Sequence, residues 1–455
     1  MEKQLINSLR NIFGGENVKT SQEELIAYSY DGYLKESLPE AVVFPLKTEE
    51  VVSLVKLANE ESFYITSRGS GSNLCGASIP KKGGVVLCFS KMNKTIEINK
   101  EKRYATIQAG KILEELENEL TPMGFTYPVD LGSSRIATIG GSIALNSGGM
   151  KALKYGVTRD YLLELEVVLA DGRIIKLGTK TKKNVVGYDL MSLICGSEGT
   201  LGIVTQATVK ILVKPETRKV MVAHFGKMQD ACNTINEILA AGLMPAAMEI
   251  IDKLVIGAVE DYVKAGLDKN AEALVLMELD GSKRQVEEDI VRIFELFKKN
   301  NATRSEVARS ETENENLWLA RKSALPSMAR CKPICIAEDL TVPTKNLYEV
   351  ITRLTELTKK HGVMLGLISH SGDGNLHPHF LIDTKEEEEK ADRILEEITP
   401  LVVSLGGTLS GEHGIGIGKK KFLGYQIKET ELNLMKEVKK FFDPKGILNP
   451  GSFID

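Results

Sequence analysis

The stretch Gly132-Ser133-Ser134-Arg135-Ile136-Ala137-Thr138-Ile139-Gly140-Gly141-Ser142-Ile143-Ala144-Leu145-Asn146-Ser147-Gly148-Gly149 decides the fold. Five glycines and four serines leave so little side chain that something else must fill the space. A large flat ligand lying against bare backbone is the economical occupant. Upstream, Ser67-Arg68-Gly69-Ser70-Gly71-Ser72-Asn73-Leu74-Cys75-Gly76-Ala77 has a similar texture and follows a strand-like run directly. Glycines and small hydroxyl residues there let backbone N–H groups converge on an anion. The loop is not the dinucleotide fingerprint, because Leu74 stands where the third glycine is required. It is not a P-loop either, since no Gly-Lys-Ser/Thr follows. Downstream, Gly196-Ser197-Glu198-Gly199-Thr200-Leu201-Gly202-Ile203-Val204-Thr205 repeats the pattern.

Outward from these loops the chain reads as α+β. Leu5, Leu9 and Phe13 recur at helical spacing, and Gly14-Gly15 stops them. Ala41–Pro45 reads as a strand. Thr48-Glu49-Glu50 is predicted to cap a helix running to about Ala58. Phe63–Thr66, Val85–Phe89 and Tyr104–Gln108 read as further strands. Short strands are predicted at Leu165–Leu169, Ile174–Leu177 and Ile203–Val209, the first two joined by a hairpin at Asp171-Gly172. The character changes near Val213-Lys214-Pro215, beyond which amphipathic helices alternate with apolar strands. Ala273–Leu279, Met364–Ser369 and Leu376–Leu381 are predicted strands, and Gln285–Lys299 a helix. Phe442–Gly451 holds two prolines and two glycines and reads as an ordered turn. This divides the chain at about 1–215, 216–420 and 421–455.

The 455 residues are 42% hydrophobic and 26% charged, a globular composition too large for one ordinary core. A net charge of -4 and runs as short as Lys180–Lys183 and Lys419–Lys421 argue against nucleic acid as a partner. The six cysteines are scattered, and no run of them could ligate an iron–sulfur cluster. Cys331 and Cys335 suit one helical turn. No signal-peptide core or membrane-spanning apolar stretch is visible, so a cytoplasmic protein is expected, with peripheral membrane attachment left open.

Five of the six histidines fall between His361 and His413. Ser369-His370-Ser371-Gly372-Asp373-Gly374-Asn375-Leu376-His377-Pro378-His379-Phe380 is predicted to be a hairpin that sets His370 across from His377. His377 and His379, two apart, share one face of a strand. Converging imidazoles suit a divalent metal: Zn, Fe or Mn. Gly411-Glu412-His413-Gly414 adds a carboxylate ligand and a histidine able to act as a base near neutral pH. His361 reads as a helix cap or surface residue, and His224 as structural.

Taken together, the three glycine-rich segments in this order and separation resemble the FAD-binding domain of the vanillyl-alcohol oxidase / p-cresol methylhydroxylase superfamily. The nearer resemblance is to its glycolate oxidase GlcD / D-lactate dehydrogenase branch, from Val43-Phe44-Pro45 to Asn449-Pro450-Gly451. The resemblance implies a two-part FAD-binding domain of p-cresol methylhydroxylase type, then a ferredoxin-like antiparallel sheet with helices as a cap, then a helical segment returning to the FAD domain. It implies that Arg68, Gly69, Ser70, Gly71, Ser72, Asn73, Gly76 and Ala77 wrap the FAD pyrophosphate. Pro128, Gly132, Ser133, Thr138, Gly140, Gly141, Ile143, Ser147 and Gly148 would line the adenosine and flavin parts. Glu198, Gly199 and Ile203 would close over the adenine end, and Asn449 joins the cofactor-binding set. Ser70 stands where covalent relatives carry His, so FAD is expected to be noncovalent. His370, His377 and Glu412 are implied as metal ligands, His413 as the base, Arg321 as the partner of a substrate carboxylate and His379 as a substrate contact. The implied activity is oxidation of a D-2-hydroxy acid, D-lactate first and glycolate second. Electrons would leave to an electron-transfer flavoprotein or an iron–sulfur subunit. Two rivals remain open at this stage: a metal-dependent hydrolase built on the His/Glu site, and a non-catalytic FAD-binding subunit of a complex.

Overall fold

The computed structural model describes residues 2–33 and 35–454. The chain forms two compact units. The first comprises residues up to Gly148, Val157–Lys214 and the segment from Glu412 onward; the second comprises Gly149–Gly156 and Pro215–Gly411. The chain thus rejoins its first unit at Glu412, earlier than the segment expected from 421, and lends Gly149–Gly156 to the second unit. That lent segment is tied down by charge: Lys151 pairs with the buried Glu278 at 3.0 Å, and the Tyr155 hydroxyl donates to Asp280 at 2.7 Å.

The first unit holds two principal sheets. In one, the strands Ala41–Val43, Val85–Cys88 and Ile65–Arg68 run parallel, and Val18–Lys19 closes one edge antiparallel. The crossover helix Thr48–Glu61 buries Val51, Leu54, Val55 and Ala58. Its N-cap is Lys47, not a residue of the Thr48–Glu50 group, because the Thr48 hydroxyl is taken by Glu166 at 2.8 Å. Ile447–Asn449 continues the sheet beyond Ile65, with Ile65 N–H donating to Ile447 O and Asn449 N–H to Ile65 O, both at 2.8 Å. The other sheet is antiparallel, in the order Thr95–Asn99, Tyr104–Gln108, Ile203–Lys210, Leu162–Val168, Ile174–Gly178. Its last two strands meet at Asp171-Gly172 as predicted, with Asp171 accepting Arg173 N–H at 2.9 Å and Gly172 at φ 83°.

In the second unit, an antiparallel sheet runs in the order Ala302–Val307, Thr217–Phe225, Ala273–Gly281, Ala247–Asp252, Met364–His370, Asn375–Ile382, Ile334–Ala337. Leu340–Thr341 also pairs with Asn375–Ile382. The helices Met228–Ala240, Lys283–Lys299, Leu347–His361 and Lys385–Ser404 belong to this unit. The helical turn expected at Cys331/Cys335 does not form. Ile334-Cys335-Ile336-Ala337 is a strand, as β-branched alternation favours, and Cys331 lies in the preceding turn. His361 ends its helix before Gly362 (φ 69°) and contacts Glu397 at 2.7 Å. His224 is buried and accepts the Asp268 N–H at 3.2 Å, a structural role. Among the described residues no helix is long and apolar enough to cross a membrane.

Candidate active site

In the first unit, one edge of the strand Ile65–Arg68 is spent in sequence. The N–H of Ile65 goes to Ile447 O and that of Ser67 to the Asn449 side chain at 2.9 Å. The next groups, the N–H of Gly69, Ser70, Gly71 and Ser72, have no acceptor among the described residues. Gly69, Gly71 and Ser72 are half-buried and Ser70 is exposed, and a loop offering several such N–H groups can take an anion. Asn73 shapes the loop: its Oδ1 accepts N–H from Cys75, Gly76 and Ala77 at 3.3, 3.0 and 3.0 Å, and its Nδ2 donates to Ser78. Arg68 is buried, donates to Tyr30 O at 2.7 Å and lies over the Tyr28 ring. Its guanidinium occupies the place a Cβ on Gly71 would need.

The three glycine-rich segments meet here. A cleft is lined by Arg68 and Gly69 from the first, Thr138, Gly140 and Gly141 from the second, and Ser197, Gly199 and Ile203 from the third. Thr138 caps the helix Ile139–Leu145, accepting Gly141 N–H at 3.2 Å. A side chain on Gly69 would run into Thr138, and a Cβ on Gly140 would stand 2.8 Å from that of Ala109. The bare backbone is therefore required by packing as well as by any occupant.

Other predicted residues of this group sit differently. Ile143 is fully buried in its helix, and Pro128, Gly132 and Ser133 lie outside the cleft lining. Ser147 accepts both the N–H and the hydroxyl of Thr158. Asn449 ties segments together, donating to Ala77 O at 3.2 Å and Glu198 O at 3.0 Å. Glu198 is buried and grips the returning chain, accepting N–H from Ile415 at 2.8 Å and Gly416 at 2.9 Å and the Ser452 hydroxyl at 3.0 Å. Burial raises its pKa against those three donors.

The returning segment brings Glu412 and Gly414, on either side of His413, against these same pieces of backbone. A Cβ on Gly148 would stand 3.5 Å from the Glu412 carboxylate, and one on Gly414 would meet Leu145 and Glu198. Gly418 N–H donates to Cys75 O at 3.0 Å. The expected carboxylate ligand and base are thus carried by the unit that holds the cleft.

The histidine hairpin forms in the second unit, with a changed register. His370 pairs with Asn375 and His377 with Ile368, so His370 and His377 are diagonal rather than opposite. Their rings still meet, 4.9 Å apart and nearly perpendicular, because diagonal neighbours on one face remain within reach. Gly374 (φ 83°) makes the turn where a side chain would strike Val342 O. His377 Nδ1 is 3.2 Å from Glu338 O, and His379 Nδ1 is 2.8 Å from His377 O.

Sequence reasoning missed Glu249. It lies directly across from His370 in the neighbouring strand, fully buried, with one oxygen 2.6 Å from His370 Nδ1. The other oxygen accepts Arg321 Nε at 2.6 Å, so the arginine expected at substrate carboxylate is already held by a protein carboxylate. Burial pushes the Glu249 carboxyl up, but the Arg321 and His370 charges outweigh it and its pKa is lowered. A signal existed: Glu249 is the lone charge inside Ala246-Ala247-Met248-Glu249-Ile250-Ile251, and a carboxylate in an apolar strand must be paired.

Residues 39–178 match the FAD binding domain family, and residues 214–453 match the family of FAD linked oxidases, C-terminal domain. The glycolate oxidase subunit GlcD of Bacillus subtilis is 42% identical over 452 residues, covering 99% of this chain and 96% of that protein. The D-lactate dehydrogenase of Anaerostipes hadrus is 34% identical over 423 residues, covering 91% and 89%. In fold, a structure of p-cresol methylhydroxylase with substrate bound matches with a TM-score of 0.82, 18% identity, and 99% and 96% coverage. An FAD-binding domain followed by an antiparallel-sheet domain, matched along nearly the whole length of such relatives, places this chain in the family of FAD-linked oxidases.

Proposed function

We propose that this protein is an FAD-dependent dehydrogenase of small D-2-hydroxy acids, with D-lactate the first substrate and glycolate the second. The observation that carries the reading is local to one unit: the Glu412-His413 loop is packed on the glycine-rich segments that line the cleft. The names of the relatives, a glycolate oxidase subunit and a D-lactate dehydrogenase, supply the substrate class. FAD, held noncovalently, would supply the hydride acceptor for oxidation of the substrate at C2 to a 2-oxo acid. A divalent metal, Fe, Zn or Mn, would be held by His370, His377 and Glu412, the carboxylate that follows Gly411, and would acidify the 2-hydroxyl.

The chain's own residues do the rest. His413 takes the hydroxyl proton as general base. Arg321 presents a guanidinium to the substrate carboxylate, a pairing suited to its forked geometry, while Glu249 fixes its direction. His379, buried on the same strand as His377, contacts the substrate. Electrons leave to a protein partner, an electron-transfer flavoprotein or an iron–sulfur subunit.

Anaerobic mixing of the purified yellow protein with D- and L-hydroxy acids tests the reading. D-lactate or glycolate should bleach the flavin. Failure of every hydroxy acid to do so would favour a non-catalytic FAD-binding subunit instead. Chelation with EDTA should abolish bleaching while leaving the flavin bound, and Zn, Mn or Fe should restore it.

A further inference from the structure

We infer that Glu249 is a positioning residue that serves metal and substrate at once, and this rests on the metal site proposed above. Three observations converge within the second unit. Glu249 is fully buried, yet neither of its carboxylate oxygens is idle: one faces His370 Nδ1 and the other faces Arg321 Nε. Strand register, not chance rotamer placement, sets Glu249 beside His370, because the two are paired residues of adjacent antiparallel strands. Arg321 approaches from the helix Glu311–Lys322, whose attitude is fixed by Trp318 donating to the buried Glu278 at 2.6 Å.

A carboxylate on Nδ1 of a histidine holds the ring in one orientation and in the tautomer whose Nε2 lone pair can coordinate a metal, and it raises the basicity of that nitrogen. The same carboxylate cancels the charge of Arg321 in a buried setting and aims its remaining donors. A burial cost this large is tolerated only where the charges are mutually satisfied. One side chain therefore links the ligand His370 to the residue assigned to the substrate carboxylate, and removing it should disturb both functions together.

The test compares wild type with Glu249→Gln, keeping FAD in place. Gln presents a single oxygen acceptor and no charge, so it cannot serve both partners. Zn affinity, read by competition with a chromophoric chelator, should fall roughly 10–100-fold, the range for loss of such an orienting partner. The KM for D-lactate should rise in the metal-saturated protein, while the flavin content per chain stays at the wild-type level. Because Gln leaves the half-buried Arg321 without a counter-charge, a second variant, Glu249→Leu/Arg321→Met, replaces the pair by apolar side chains of similar size. It should fold and bind FAD but show the same loss of Zn affinity. Arg321→Met alone should raise the KM and leave Zn affinity within a few-fold of wild type. Unchanged Zn affinity in both Glu249 variants would overturn the inference. Wild type that binds no divalent metal would instead sink the metal site on which it rests, so the two failures are distinguishable.

Discussion

The two units of this protein build their chemistry in opposite ways. The first works with backbone: glycines at 69, 140, 141 and 199 bring bare peptide to a cleft, and the side chains that matter, Asn73, Glu198 and Asn449, hold other backbone in place. The second works with side chains: two imidazoles, a guanidinium and a carboxylate gather on one sheet. The difference follows from the tasks assigned to them. A long cofactor is gripped along its length by uncharged N–H groups, whereas a small acid substrate must be held by a few charged atoms at one point.

The sharpest way to break this division is His413→Asn. His413, the proposed base, belongs to the backbone-built unit, so flavin content should remain full while substrate-dependent flavin reduction drops by roughly 10²–10⁴-fold. Near-normal reduction by stopped-flow absorbance would remove His413 from the base role. The converse experiment is Gly140→Val. Its Cβ would meet Ala109, and the variant should emerge without flavin. A yellow Gly140→Val protein would show that the cleft does not need bare backbone there.

A smaller effect concerns what anchors the returning segment. Lys439 is buried and donates to Asp443 at 2.6 Å and to the carbonyls of Thr200 and Leu448, both at 2.9 Å. Lys439→Met leaves Asp443 without its cation. It should lower stability in chemical denaturation by about 3–5 kcal/mol, the usual result of breaking a buried pair. No loss beyond 1 kcal/mol would make the anchor dispensable.

The subtlest prediction compares two carboxylates of one strand. Glu249 has a lowered pKa from Arg321 and His370, whereas Asp252, three residues on, is half-buried and desolvation pushes it up from 3.8 to about 7. Folded protein therefore keeps the Asp252 proton that unfolded chain releases. This group's contribution to stability is full below about pH 4 and is lost as the pH rises through about 7. The stability of wild type relative to Asp252→Asn should decline over that window. A flat difference in urea midpoints from pH 4 to 8 would contradict it.

Much of the fold was legible because its signals are local. The hairpin at Asp171-Gly172, the helix closed by Gly14 and the strand Tyr104–Gln108 each depend on residues close in sequence. The glycine-rich segments and the histidine hairpin were equally visible, since spacing alone exposes them. The Thr48 cap failed for the opposite reason: a distant carboxylate, Glu166, claimed the hydroxyl. The turn expected of Cys331 and Cys335 failed because strand pairing with Leu381 outweighed helical spacing.

By itself, the sequence determined which residue types are available and in what local geometry: small-residue turns able to take a flavin dinucleotide, and imidazoles alternating along one strand. Only the tertiary structure decided which carboxylate faces which imidazole. Glu249 and His370 are 121 residues apart and meet through strand register, and Asn449 reaches Ser67 across 382. Pairings of that kind depend on how whole elements pack, and packing is settled by the burial of many side chains at once, which no short window of sequence contains.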